Sequence, residues 1–410
     1  MIRFILLAAL SLPALSAAQP PASETDLAAL VATANWFKLR DAVQRPSSPA
    51  YYRGVAACAF HDPVSAEKYF ALVFHSEPQS ERAFDAHGRL AYLYMRTGQH
   101  KRAYQHLAAM QRINPGFSGL AGALDLFSAL SHYPELHITR RRAARLAMTP
   151  DYFLPLSVNG QPALYGFDSG MNISMMSDAE TRRLGLPVHD ATTAAELKDQ
   201  ASGKTLPARF VVVDRLAIGG TELRNVVFTL VPNDAMPFRE LPADKQGYIG
   251  LPVLLALQTM RWTNTHAVEI GPSHARRAPS PNLSFDAATP LASAAFEGKP
   301  IAAWIDTGAS KTYLTPRFAR EFPAAVERNA IQATALLRGV AGTAEVPVSR
   351  LREFRFTLGG ANIALKPVDL LPEQAGVDRG SYHLWLGMDV LGVARSVAFD
   401  FRAMTIAVEQ

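Results

Sequence analysis

The sequence predicts a multidomain chain, an all-α N-terminal region followed by an all-β region of two similar lobes. Three observations predict it. Apolar residues recur at helical spacing from about residue 24 to 136, the period shortens to that of strands from Phe153 onward, and the strand-rich half contains the same pattern twice. The chain has 410 residues, 49% hydrophobic and 19% charged, enough for two or three cores and too apolar for a disordered chain. The formal charge of +5 is scattered apart from Arg140 to Arg142 and Arg276 to Arg277, so no basic patch calls for nucleic acid.

In order along the chain, residues 1–18 read as a secretory signal peptide. Arg3 precedes an apolar run from Phe4 to Leu12, and small residues at Ser16 and Ala18 set a cleavage site after Ala18. The run ends in Pro13 and is short for a membrane anchor, and no later segment is apolar enough to span a bilayer. An exported protein is expected, with the periplasm as its compartment and no membrane span after cleavage. Cys58 is the only cysteine, which excludes an intramolecular disulfide.

Residues 19–140 form the helical region. Leu90, Ala91, Tyr94, Gly98, Ala103, Leu107 and Pro115 fall at the spacing of a helix-turn-helix unit, and Gly54, Ala66, Phe70 and Pro78 form a weaker copy, with Ala66/Ala103 and Pro78/Pro115 both 37 residues apart. Small residues let paired helices approach closely. The segment resembles tetratricopeptide repeats. Such arrays either bind a protein partner or pack against a neighbouring domain as a cap. His87, His100 and His106 sit on these helices and read as surface or groove residues.

Lobe 1 is assigned to residues 150–275 and lobe 2 to 283–410. Laying "VNGQPALYGFDSGMNISMMS" over "FEGKPIAAWIDTGASKTYLT" pairs Gly160 with Gly298, Asp168 with Asp306, Ser169 with Thr307, Gly170 with Gly308 and Ser174 with Thr312, all at an offset of 138. One Asp-Ser/Thr-Gly is expected by chance about 0.2 times in such a chain. Two inside a collinear repeat are not chance. Each copy follows a hairpin turn, Asn159-Gly160 or Glu297-Gly298. Each precedes two bulky residues and a glycine, Tyr248-Ile249-Gly250 and Trp385-Leu386-Gly387, where Gly250 and Gly387 permit close backbone approach. The linker "GPSHARRAPSPN" joins the lobes and is long enough for pairing within one chain or between two; two unequal copies on one chain favour the former.

On these residues the span from Tyr152 to Gln410 resembles the retropepsin-like and pepsin-like aspartic proteases. The resemblance implies a bilobal fold of two retropepsin-like lobes. It implies Asp168 and Asp306 as the catalytic pair, Ser169 and Thr307 bonding across the lobes, and Gly170 and Gly308 turning their amides to the carboxylates. Two carboxylates about 3 Å apart repel by roughly 5 kcal/mol at an effective dielectric near 20, so one is protonated and the other ionised. Such a pair can activate water without a metal, a cofactor or a covalent intermediate. The function expected is an exported aspartic endopeptidase acting on a peptide or protein substrate. The alternative is a catalytically degenerate peptide-binding or scaffold protein that keeps the fold.

Two glycine-containing segments fit flaps over the cleft, "DQASGKT" around Gly203 and "LLRGVAGT" with Gly339 and Gly342; ordinary turns are the other reading. Met171 departs from the small residue usual after Asp-Ser/Thr-Gly; it narrows the cleft, loosens the loop, or packs harmlessly underneath. Trp304 and Trp385 flank the site and read as core. Ser65 to Lys68 matches Ser-x-x-Lys without its partner motifs, and no His-Glu-x-x-His is present, so neither an acyl-enzyme nor a zinc site is expected.

Overall fold

The computed structural model describes residues 23–191, 196–198, 205–271, 280–339, 342–373 and 380–410; the signal-peptide segment, Gly203 and the middle of the linker lie outside them. Seven helices come first: α1 (Glu24–Ala32), α2 (Trp36–Ala42), α3 (Ala50–Ala59), α4 (Pro63–Ser76), α5 (Glu81–Met95), α6 (His100–Ile113) and α7 (Ala121–Leu130). Their starts follow local chemistry. Ser23 and Asp26 form a capping box, while Asp62 and Ser80 accept the Ser65 and Ala83 amides. At Gly54 a Cβ would lie 2.5 Å from the Phe70 ring, so only glycine lets α3 and α4 pack this closely. His100 is a correction: it is 3% exposed, packed near Phe127, rather than a surface or groove residue.

The segment leaving the helices is woven into the rest of the molecule. β1 (His137–Arg140) pairs with a strand of lobe 1, and β2 (Ala144–Ala147) joins a sheet beneath both lobes.

Lobe 1 contains β3 (Leu154–Val158), β4 (Gln161–Phe167), β5 (Ser174–Ser177), β6 (His189–Asp190), β7 (Glu196–Lys198), β8 (Thr205–Pro207), β9 (Arg209–Ile218), β10 (Thr221–Val231) and β11 (Gly247–Ile249). The pairings β10-β5-β11-β4-β3-β9, closed by β9 with β10, make a barrel. β12 (Thr259–Thr263) and β13 (Ala267–Ile270) follow.

Lobe 2 repeats the plan with β14 (Leu283–Asp286), β15 (Thr289–Phe296), β16 (Lys299–Ile305), β17 (Tyr313–Leu314), β18 (Ala330–Gly339), β19 (Gly342–Leu351), β20 (Phe354–Leu358), β21 (Ala361–Leu365), β22 (Val368–Leu370) and β23 (Leu384–Leu386). Here the counterpart of the long β10 is broken into β21 and β22, with Pro367 between them; proline has no N–H to give to a ladder. In both lobes the entry hairpin turns as its sequence requires. Asn159, Gly160, Glu297 and Gly298 all have φ between 48° and 88°, and the pairs closing the turns are Val158 with Gln161 and Phe296 with Lys299.

β24 (Ser396–Asp400) and β25 (Thr405–Glu409) complete the chain and the shared sheet, ordered β2-β13-β12-β24-β25. The two lobes therefore meet within one chain, with Thr259 to Thr263 antiparallel to Ser396 to Asp400. Across this seam Arg261 of lobe 1 bonds Glu409 of lobe 2 as well as Glu269, which also takes Arg145. One continuous apolar core fills both lobes and lies against this sheet.

A second core joins the helices to both lobes. It runs from the helical residues Leu90, Tyr94 and Phe127 to Phe210 and Val227 of lobe 1 and to Leu291 and Tyr382 of lobe 2, with Ile173, Trp304 and Trp385 packed against it. Polar contacts reinforce this. The buried Arg96 guanidinium lies 4.2 Å from the Phe285 ring and donates to Ala287 O at 2.6 Å, and Arg317 of lobe 2 donates to Thr33 O. Among the described residues no helix is long and apolar enough to cross a membrane.

Candidate active site

Asp168 and Asp306 stand one residue past the ends of β4 and β16, where each central strand gives way to a turn. The amide of Asp168 donates to Ile249 O and that of Asp306 to Leu386 O, so each carboxylate is anchored to the strand that ends in the close-approach glycine. The reason for glycine there is steric. A Cβ at Gly250 would lie 2.8 Å from Ile173 C, and one at Gly387 would lie 2.5 Å from Lys311 O, in both cases backbone that cannot yield.

The two turns are bolted together by four reciprocal hydrogen bonds. The Ser169 amide donates to Thr307 Oγ1 at 3.0 Å and the Thr307 amide to Ser169 Oγ at 3.1 Å. In turn Ser169 Oγ donates to Ile305 O at 2.7 Å and Thr307 Oγ1 to Phe167 O at 2.8 Å. Each hydroxyl thus accepts from the opposite lobe and donates to it, which fixes the lobes in register at the point where the carboxylates sit.

Gly170 and Gly308 complete the pair. The Gly170 amide donates to Asp168 Oδ1 at 2.8 Å, and the Gly308 and Ala309 amides donate to Asp306 Oδ1 at 2.9 and 3.2 Å. Each glycine also lies against the opposite carboxylate: a Cβ at Gly308 would be 2.3 Å from Asp168 Oδ2, and one at Gly170 would be 3.0 Å from Asp306 Cγ. The structure brings together all six residues of the two sequence motifs. Asp306 is 7% exposed and Asp168 is half-buried. Burial, and next the charge of Asp306, push Asp168 well above the usual carboxylate range; burial also raises Asp306, opposed by the donors around it. A protonated and an ionised carboxylate side by side can give and take a proton in one step.

Around this pair the structure adds residues that sequence reasoning did not single out. Asp389 accepts the Thr312 amide at 2.9 Å and the Thr312 hydroxyl at 2.5 Å, and Thr312 Oγ1 accepts the Gly387 amide. In lobe 1 Ser174 alone accepts the Gly250 amide. Asp389 has no counterpart in the repeat, since proline occupies the matching position at 252, so the internal alignment gave no signal for it. Trp385 is a correction. Read as core from sequence, it points its indole N–H at Asp306 Oδ2 from 2.7 Å. Met171 packs with Met175, Val231 and Phe238.

Of the flap candidates, Gly339 and Gly342 face each other at the end of the long β18–β19 hairpin. Ala335, Leu337 and Val348 of that hairpin cluster with Tyr313, Leu371 and Trp385, so it lies alongside the carboxylate pair. Gly203 is outside the described residues, but the short strands β7 and β8 that precede and follow it are paired. Among the described residues no group of three His, Cys, Asp or Glu side chains is placed to hold a metal ion.

With this geometry in view, residues 154–253 and 292–390, just under half of the chain, each match the aspartyl protease family. Solved structures similar to the chain include a retropepsin-like aspartic protease from Rickettsia conorii, at 15% identity and a TM-score of 0.23, covering 34% of this chain and 95% of that one. Another is the retroviral protease-like domain of Ddi1 from Leishmania major, at 12% identity and a TM-score of 0.18, covering 29% of this chain and 92% of that one. No curated protein matches the chain significantly. The chain resembles retropepsin-like aspartic proteases, with two lobes on one chain behind a helical region.

Proposed function

We propose that this two-lobed chain of aspartyl-protease architecture is an exported endopeptidase that hydrolyses peptide bonds with water activated between Asp168 and Asp306. The observation that carries the reading is the reciprocal bonding of Ser169 and Thr307, which holds one carboxylate from each lobe against the other. The ionised carboxylate removes a proton from a water held between the two, and the water oxygen forms a bond to the scissile carbonyl carbon. The protonated carboxyl gives its proton to the carbonyl oxygen. Collapse of the resulting gem-diol breaks the C–N bond as one member of the pair gives its proton to the leaving nitrogen and the other takes a proton from a diol hydroxyl, so the pair ends with the single proton it began with. The substrate lies extended under the β18–β19 hairpin, where backbone hydrogen bonds along a strand supply affinity without specifying sequence.

Export rests on residues 1–18, whose single arginine, apolar run and small residues fit a cleaved leader. Amino-terminal sequencing of protein recovered outside the cytoplasm is expected to begin at Gln19; a start at Met1 contradicts it. The helical region, in contact with both lobes, is read as a brace for them.

The functional test is cleavage of an unfolded protein across about pH 3 to 7. Activity is expected on the acidic side and is expected to fall as pH rises through the raised carboxylate range, because the pair then loses its one proton. A folded protein that cuts nothing at any pH overturns the proteolytic reading and leaves peptide binding.

A further inference from the structure

The lobes share one plan but hold their carboxylates differently. In each, the residue two positions before the Asp lies across parallel strands from the residue two positions before the close-approach glycine: Gly166 beside Tyr248 in lobe 1, Trp304 beside Trp385 in lobe 2. Because Gly166 has no side chain, the Tyr248 ring rests on its backbone, 2.4 Å from where a Cβ would be, and packs edge-on to Phe153. In lobe 2 Trp304 fills that space and stacks on Trp385, with centroids 4.7 Å apart and planes 19° apart, while Tyr313 flanks Trp385 at 5.7 Å. The stack fixes the plane of the indole so that its N–H meets Asp306 Oδ2 at 2.7 Å. Asp306 thereby has donors on both oxygens, two amides on one and the indole on the other. Asp168 is held by the Gly170 amide on Oδ1 and is also favoured in its charged form by the Met171 amide, so what distinguishes Asp306 is the side-chain donor from Trp385.

We infer that Trp385 is a positioning residue that makes Asp306 the ionised member of the pair, so that Asp306 takes the proton from water and Asp168 supplies the proton to the carbonyl oxygen. This rests on the proteolytic reading above. Hydrogen bonds to a carboxylate favour its charged form, and a donor facing an anion is the stronger kind. The direction of Asp168, pushed well up by burial and by the charge on Asp306, agrees with a proton resident on Asp168. The other titratable groups at this corner are Tyr313 against the indole, Asp369 and Asp389 behind Tyr313, Lys311 in the loop after Asp306, and Tyr248 across the pair beside Asp168. Tyr313 and Tyr248 are both held above their usual range and stay neutral through acidic pH.

The sign follows from which ionisation the indole affects. Trp385 stabilises the singly charged pair relative to the neutral pair, so it lowers the first ionisation. It acts equally on the singly and doubly charged pair, since Asp306 is ionised in both, and leaves the second ionisation in place. In Trp385→Phe the acid limb of the kcat/KM profile is therefore expected to rise by about one to two pH units, with the alkaline limb unmoved. The same shift is expected in an Asp389→Asn background, which removes the nearby carboxyl that also titrates in acid. An acid limb that stays put, or a shift confined to the alkaline limb, overturns the assignment, whereas a merely structural role would lower kcat without moving either limb. If Trp385→Phe does not fold, titration of the carboxyl carbons of the unmutated protein by NMR decides, with Asp168→Asn and Asp306→Asn spectra assigning the signals. Asp306 losing its charge at the lower pH supports the inference, and Asp168 doing so overturns it. That titration needs no substrate, so an inert parent defeats the proteolytic reading while this inference is judged separately.

Discussion

Replacing Asp168 or Asp306 by Asn is expected to reduce peptide-bond cleavage by about 10²–10⁴-fold or more while the fold survives, because each substitution removes one of the two proton-transfer partners without changing shape. Stability supplies a second, opposite signature. The folded-state pKa of Asp168 is raised well above its unfolded value, so the stability associated with its neutral form is present below about pH 4 and is lost as pH rises through the raised value. The neutral amide of Asn escapes that loss. Thermal unfolding should therefore show Asp168→Asn more stable than the parent at pH 7 and level with it near pH 3. Variants that lose activity and stability together at neutral pH would contradict the placement of these groups as a buried like-charged pair.

Thr307→Ala is expected to damage both fold and activity. It leaves the Ser169 amide without its acceptor and Phe167 O without its donor, at a point where Ser169 is 4% exposed. Each buried group left unpaired costs about 1–3 kcal/mol, a large share of a typical total stability of roughly 5–15 kcal/mol. The turn that carries Asp306 also loses two of its four hydrogen bonds to lobe 1, keeping those made by Ser169 Oγ, and a misplacement of about 1 Å in such a site can cost 10²-fold in rate. Urea unfolding together with kcat on the same preparation checks this. Thr307→Ser keeps the hydroxyl and should recover most of both, and an unaffected Thr307→Ala would show that the lobes are held in register elsewhere.

The halves of this site that obey local rules were legible in the sequence. Asp168, Asp306 and their followers are set by a turn that only certain residues can make, and the turn is repeated, so the offset of 138 located them. Gly250 and Gly387 were legible for the same reason, as places where a side chain has no room. The β18–β19 hairpin of lobe 2 was marked by its glycines. What could not be read was chemistry made by register between strands distant in sequence. Trp385 looks like core in a list of residues, and becomes a donor to Asp306 only because Trp304 lies beside it on β16. Asp389 holds Thr312 across 77 residues and has no counterpart in lobe 1 to draw attention to it. The seating of the helices on both lobes depends on nonspecific apolar contact, which carries no motif, and on single polar contacts such as Arg96 to Ala287 O that join residues far apart in sequence.

The seam between β12 and β24 has a further meaning. Tethering the halves of a catalytic unit converts their meeting from a bimolecular event into an intramolecular one, at an effective local concentration of about millimolar for a short flexible connection. Here both halves are strands of one sheet on one chain. Under the proposed function the specific activity is expected not to fall on dilution, and the two halves are free to drift apart in sequence, since neither has to serve as its own mate. The unlike pair of Gly166 and Trp304 is the kind of divergence that a self-associating single lobe could not carry.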